Sequence, residues 1–276
     1  MSISTSSLFH YTKSLDTLKA MLDEGLWPNY CKEIFRSSKG LYMMGIPMVS
    51  FCDIPLTRTA DFCERYGHYG IALKKDWGIR KGINPVLYVT NDNIYYSLNF
   101  YRIVAKEWKK KAEDKGVEMV NIHNMKIDFR KTGVEVLVEA VNSMLADSHN
   151  NTLAGFFKPY TMTTGDGSNQ DNYLENEWRY VISDTEKTLW KRSEEEYQKW
   201  RGKGDKPEPS EALKEKKLSF NVDDITHIII KEEAELIDII NNINSRDFLC
   251  GQPIDETGKA KLLSKIRCLD RIRQDF

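Results

Sequence analysis

Two short stretches of this chain place chemically capable residues at usable spacings. In "YLENEWRYVI", Glu175 and Glu177 stand two positions apart, and alternation along a strand would set both carboxylates on one face. A carboxylate held there can stabilise positive charge that develops in a transition state, or exchange a proton. In "LFHYT", His10 interrupts an apolar run between Phe9 and Tyr11, with Thr12 following. A histidine and a carboxylate brought together would also suffice for acid–base cleavage of RNA without a metal.

Other chemistries find little support in the sequence. The five cysteines, Cys31, Cys52, Cys63, Cys250 and Cys268, are an odd number with no C-x-x-C pair, which argues against a disulfide framework and against zinc. His68, His123, His149 and His227 lack metal-ligand spacing. No glycine-rich phosphate loop follows a strand, and no glycine-flanked Ser or Cys marks a nucleophile.

These residues need elements to position them. A strand over Leu8–Tyr11 leads to a helix that starts at Ser14, a good N-cap, and stops at Gly25. "GIPMVSFCDIP" reads as a buried strand between prolines, and "LTRTADFCERYG" as a short helix closed by Gly67. "YGIALKKDW" and "NPVLYVT" read as two further strands. Apolar periodicity predicts helices over 91–116 and 132–147, a helical insertion of about 91–148 in all. The polar stretch 150–176 is too long for an ordinary connection and is expected to be a functional loop. It leads into the strand "EWRYVI". Charges with Gly and Pro mark 192–217 as an exposed insertion. "KLSFN" and "ITHIIIK" resume the sheet, a helix is expected over Glu233–Ile243, and "GKAKLLSKIRCLDRIRQDF" reads as a basic amphipathic end. The expected architecture is one α+β domain over 1–276, without the regular strand–helix alternation of a doubly wound sheet.

Composition agrees with a globular chain. Its 276 residues are 41% hydrophobic, and 40 basic against 41 acidic side chains give a net charge of −1. No global field therefore selects nucleic acid or a membrane. Basic clusters at Lys106, Lys109, Lys110 and Lys111, near Tyr95, Tyr96 and Trp108, and at Lys259, Lys261, Lys265, Arg267, Arg271 and Arg273 would suit single-stranded nucleic acid if they are free. Without a basic n-region or a long apolar run, a soluble, cytoplasmic protein with no membrane partner is expected.

The strand "FHYT" followed by the helix "SLDTLKAMLDEGL" resembles the opening of the ADP-ribosyltransferase superfamily, in which a strand histidine followed by Gly, Ser or Thr binds the nicotinamide-side ribose of NAD. "MVSFCDIPLTRTADFCERYG" is similar to the polymerase segment in which a strand and a helix each supply an aromatic to sandwich the nicotinamide. Ser50, Phe51 and Phe62 stand at those positions, and the stacking ring is left among Phe51, Phe62, Tyr66 and Tyr69. Glu177 fits the acidic residue that opens a late strand in that superfamily, with Glu175 completing an E-x-E spacing. A longer resemblance, through "LFHYTKSLDTLKAMLDEGLWPNYC", the segment from Ile46 to Val89 and "NEWRYVI", is to the AbiGi-type abortive phage resistance family, whose members are described as antitoxins of phage-defence pairs.

The first resemblance implies a split, mixed or antiparallel sheet with inserted helices, with NAD as substrate. Nicotinamide leaves as a neutral molecule, so the cleavage needs no general acid, and one carboxylate suffices. Glu177 and His10 would be catalytic. Tyr11 and Thr12 would join the residues around NAD, Arg179 would serve either the dinucleotide or a structural ion pair, and His10 and Glu177 would form opposite walls of one cleft. The expected function is mono-ADP-ribosyl transfer to a macromolecule in phage defence, RNA slightly preferred over protein, with an antitoxin protein as a further partner. The alternatives are a non-catalytic antitoxin or sensor and a metal-independent ribonuclease.

Overall fold

A computed structural model describes residues 5–37, 40–90, 155–163, 169–183, 189–191, 193–202 and 211–275. The two mid-sequence helices and the first basic cluster lie outside these residues, as do His123 and His149.

Strand β1 (Ser7–Thr12) turns into helix α1 (Leu15–Glu24) at Ser14, whose hydroxyl accepts the Thr17 N–H. Helix α1 ends at Gly25 with φ of 90°, and a Cβ there would lie 2.5 Å from the Leu218 carbonyl oxygen. Only glycine fits that backbone and that approach. A hairpin follows, β2 (Asn29–Ser37) and β3 (Gly40–Cys52), paired without a register break from Asn29↔Met48 to Ser37↔Gly40. Pro47 therefore lies inside a long strand and does not bound a short one.

Helix α2 (Thr59–Tyr66) closes at Gly67, and β4 (Tyr69–Lys74) gives way at Lys75 to helix α3 (Lys75–Arg80). "KDW" is thus helical, with Trp77 turned into the core. "NPVLYVT" divides between two sheets: β5 (Asn84–Pro85) joins the large one, while β6 (Leu87–Val89) pairs in parallel with β7 (Phe157–Pro159). The described part of 150–176 is no open loop. It forms β7, the small hairpin β8 (Thr161–Thr163) and β9 (Asn169–Asp171), and a 3-10 turn over Asn172–Glu175.

Strand β10 (Glu177–Val181) follows, and then two helices arise inside the charged stretch, α4 (Glu194–Arg201) and α5 (Glu211–Lys214). Leu213 is fully buried in a cluster with Tyr30 and Ile182, against which Tyr197 and Trp200 pack. The described residues of 192–217 are therefore a packed element, anchored by apolar groups that its charges obscure. "KLSFN" contributes only an isolated bridge, Leu26↔Leu218. The chain ends with β11 (Ile225–Ile230), α6 (Leu236–Asn244), the hairpin β12 (Phe248–Leu249) and β13 (Gln252–Pro253), α7 (Glu256–Leu263), β14 (Ile266–Cys268) and α8 (Leu269–Asp275). The basic end thus contains a strand between two helices.

The large sheet is mixed, in the order β14-β11-β4-β1-β3-β10-β5, with β2 on β3. Its pairs are antiparallel except β11 and β14. Directly opposed residues share a face, so each rung carries one layer across the sheet. Leu8, Phe51, Ile71 and Ile228 bury one face against Leu18 and Leu22 of α1, Trp77 of α3, Ile239 of α6 and Leu262 of α7. Phe9, Tyr11, Cys52, Ala72 and Ile229 bury the other against Phe62 of α2 and Leu269 and Ile272 of α8. Beyond Cys52 that second face continues under Val89 and Phe157, through Met48, Ile46 and Met44. This is a mixed α/β architecture with helices on both faces.

Candidate functional site

The three segments singled out in the sequence occupy adjacent strands, β1, β3 and β10. Phe9 opposes Cys52, and Cys52 opposes Glu177. Phe9, Cys52 and Glu177 therefore share one face, and alternation turns His10 to the other. Its neighbours there are Phe51, at a ring separation of 5.6 Å, and Ile71. The register does not bring His10 and Glu177 to one face.

His10 lies where the sheet opens. Strand β10 takes one edge of β3 from Met48 to Cys52, so β1 and β2 share the other. On that edge β1 meets β3 only at Cys52 and β2 only over Gly40–Met48, and no rung spans Val49–Phe51. The His10 ring enters this gap, where Nδ1 lies 2.8 Å from the Ser50 carbonyl oxygen. Thr12, two residues on and on the same face as His10, is 3% exposed, and its hydroxyl has no hydrogen-bond partner among the described residues.

The proposed aromatic residues are mostly core. Phe51 is 1% exposed and meets Trp77 edge-on, while Phe62 packs with Phe9 and Tyr11. Tyr11 donates to Thr59 Oγ1 at 3.1 Å, and burial raises its pKa. Tyr69 sits at the far side of β1, where its hydroxyl donates to Glu235. Tyr66 alone of these side chains adjoins the acidic residues: burial and the nearby Glu175 carboxylate raise its pKa.

Glu177 sits in a buried network of ion pairs. Oε1 accepts from Arg179 Nε at 2.7 Å, and Oε2 accepts from Lys158 Nζ at 2.8 Å and from Arg179 at 3.1 Å. Arg179 is 2% exposed, and it also donates to the Gly155 carbonyl and meets Glu33 of β2 at 2.8 Å. Lys158 reaches Glu175 at 2.6 Å, as does Arg65 of α2. The Glu177 backbone N–H donates to the Tyr88 hydroxyl. Burial alone would raise the Glu177 pKa, but the Arg179 and Lys158 charges outweigh it and hold the carboxyl at about 2. Glu33 behaves oppositely, because burial raises its pKa against the pull of Arg179. Glu33, Glu175 and Glu177 face Arg65, Lys158 and Arg179, so these groups are balanced charge for charge.

Three members of this network, Glu33, Lys158 and Arg65, were not foreseen. Lys158 carried a usable signal, since a lone lysine in the aromatic run "GFFKPY" implies a buried ammonium that must find a carboxylate. Glu33 in "YCKEIF" gave a weaker one of the same kind. The C-terminal cations are largely committed: Lys259 pairs with Glu256, Lys261 with Asp223, Arg271 with Glu233 and Arg273 with Glu64. Lys265 donates to the Val222 carbonyl and Arg267 to those of Ser264 and Ile266. Among the described residues no cluster could hold a metal ion, and no helix is long and apolar enough to cross a membrane.

A family model described as "Putative abortive phage resistance protein AbiGi, antitoxin" matches residues 24–231. A protein of Lactococcus lactis subsp. cremoris named "Abortive phage resistance protein AbiGi" is 44% identical over 54 residues. That match covers 18% of this chain and 22% of that relative. No solved structure matches the chain.

Proposed function

This chain belongs to the AbiGi family of abortive phage resistance proteins, and from that premise we propose that it is the neutralising, protein-binding half of a phage-defence pair, with a toxin protein as its partner. One observation carries the reading: both oxygens of Glu177 are committed to Arg179 and Lys158 in a residue 6% exposed. A carboxylate that cleaves NAD must instead meet the ribose and the charge developing on it. The family's description as an antitoxin agrees with a binding role.

The test pairs survival with chemistry. Cells producing the cognate toxin should be rescued by the wild-type chain, by Glu177→Gln and by His10→Ala where these remain folded. None should transfer labelled ADP-ribose from NAD to RNA or lysate protein. Transfer by the wild type that is lost in Glu177→Gln would overturn the binding reading.

A mono-ADP-ribosyltransferase reading keeps an observation of its own, the His10 ring set against the unpaired stretch Val49–Phe51 with Nδ1 2.8 Å from the Ser50 carbonyl oxygen. Under this reading Glu177→Gln still binds NAD while turnover falls by roughly 10²-fold or more, and His10→Ala weakens both. RNA cleavage that needs no NAD would favour neither reading and point to a ribonuclease.

A further inference from the structure

We infer that the open edge of β2 at Lys32 and Ile34 is where an extended segment of the toxin adds to the large sheet as a further strand, backbone to backbone. The inference rests on the protein-binding reading above and names the surface that such a partner would use.

The direction of the backbone comes first. Along an antiparallel hairpin, the rungs alternate between residues that bond to each other and residues whose N–H and C=O groups both point away. Gly45, opposite Lys32, exchanges both of its backbone bonds with Lys191, and the carbonyl of Pro47, opposite Tyr30, accepts the Ile182 N–H. Those rungs therefore point outward, and the period of two makes the rung of Ile34 and Met43 do the same. On the β2 side, the Tyr30 N–H is met by the Asn29 side chain. The backbone groups of Lys32 and Ile34 meet no such partner among the described residues, where β2 pairs with β3 alone.

Exposure comes second. The large sheet ends elsewhere on β14 and β5, of three and two residues, whereas β2 runs for nine. Very short edge strands offer little to a further strand, but a long open edge is a template for one. At the outward rung Ile34 is 50% exposed, which sets an apolar side chain beside the unpaired backbone. Both features suit an extended peptide: its main chain supplies the hydrogen bonds, and its alternate side chains meet those of the edge.

Charge separates the toxin from a second copy of this chain. A two-fold antiparallel pairing of β2 with itself can centre on Lys32, on Glu33 or on Ile34. The first sets Lys32 opposite Lys32, the second Glu33 opposite Glu33, and the third Lys32 opposite Arg36. Like charges directly opposite are destabilising. A strand of a different protein escapes that conflict by carrying a carboxylate opposite Lys32 and an apolar side chain opposite Ile34. Lys32 can share such a carboxylate, because its pair with Glu194 of α4 is solvent-accessible on both sides.

The experiment follows amide hydrogen exchange in the full chain, alone and saturated with the cognate toxin. In the free chain, Lys32 and Ile34 should exchange faster than Cys31 and Glu33, whose rungs bond to β3. Toxin should slow exchange at Lys32 and Ile34 by about ten-fold or more. Ile34→Pro removes an N–H that the hairpin does not use, at an edge position where proline is tolerated. It should weaken toxin binding by about ten-fold or more, whereas Ile34→Thr, which keeps the N–H, should weaken it less. Should Ile34→Pro fail to fold, exchange in the wild type decides. Toxin bound with both amides still exchanging freely overturns the inference and leaves the binding reading standing, whereas no binding of toxin at all overturns both. Protection that grows with the concentration of the chain alone, together with a doubled mass, gives the edge to a second copy and overturns the toxin as its occupant.

Discussion

The two faces of the sheet at β1, β3 and β10 are built from opposite materials. On the His10 side, Phe51, Ile71 and Trp77 close an apolar layer in which each residue contributes area independently of its neighbours' charge. On the Glu177 side, beyond Cys52, the layer ends in six charges that satisfy one another. Losses on the first face should be graded with the volume removed. Losses on the second should be abrupt, because deleting one partner leaves another charge buried and unmatched.

The largest expected effect is Arg179→Ala, which takes the ion-pair partner from Glu33 and leaves Glu177 with Lys158 alone. Its cost should be about 3–5 kcal/mol by urea unfolding. Replacing Glu33 and Arg179 together by apolar residues of similar volume, which leaves the remaining charges balanced two against two, should recover most of that loss. A single replacement costing under about 1 kcal/mol would show that the network does not hold the face together.

Acid should distinguish the carboxylates. Glu177 is held at about 2 against an ordinary 4.5. A depressed folded pKa adds stability that is fully present above about 4.5 and is lost as the pH falls toward 2. Glu33, with its pKa raised by burial, contributes in the other sense: protonating it on acidification favours the fold. The melting temperature should therefore fall between pH 4.5 and about 2, and Glu177→Gln should flatten that limb. An unchanged limb in the variant would remove Glu177 from the acid response.

On the apolar face a smaller, graded loss is expected. Ile71 is fully buried opposite His10, and Ile71→Val should cost about 0.5–1.5 kcal/mol. A cost near that of Arg179→Ala would erase the contrast between the faces.

What was legible in the sequence follows the same division. Local signals succeeded where one residue decides the geometry: Ser14 and Gly25 bound α1, and Gly67 ends α2. They failed where distant pairing decides. Pro47 read as a boundary because proline lacks a donor, yet β3 runs through it in a long hairpin. β14 is three residues between two helices and exists because β11 offers it a parallel edge. Glu177 and Arg179 were visible as a spaced pair on one strand, but the partners that neutralise them arrive from β2, β7 and, through Glu175, α2. Alternation also separates His10 from Glu177, a relation that appears only once the register Phe9↔Cys52↔Glu177 is known.

The smallest effect belongs to the surface. Lys261 pairs with Asp223 at 2.9 Å, but the two side chains are 50% and 71% exposed. Water and salt screen such a pair, and holding two long side chains in one geometry costs entropy, so exposed pairs contribute about 0–1 kcal/mol. Lys261→Ala should therefore shift the unfolding midpoint little, and by still less at high salt. The same substitution tests what the C-terminal cations are for. Those matched to Glu256, Asp223, Glu233 and Glu64 must give up a carboxylate before meeting a phosphate. Single-stranded RNA should then bind weakly, with an affinity that Lys261→Ala scarcely changes. A steep salt dependence of RNA binding that becomes shallower in Lys261→Ala would show instead that this residue releases counterions on the nucleic acid, and that charge balance on this surface differs in kind from the balance around Arg179.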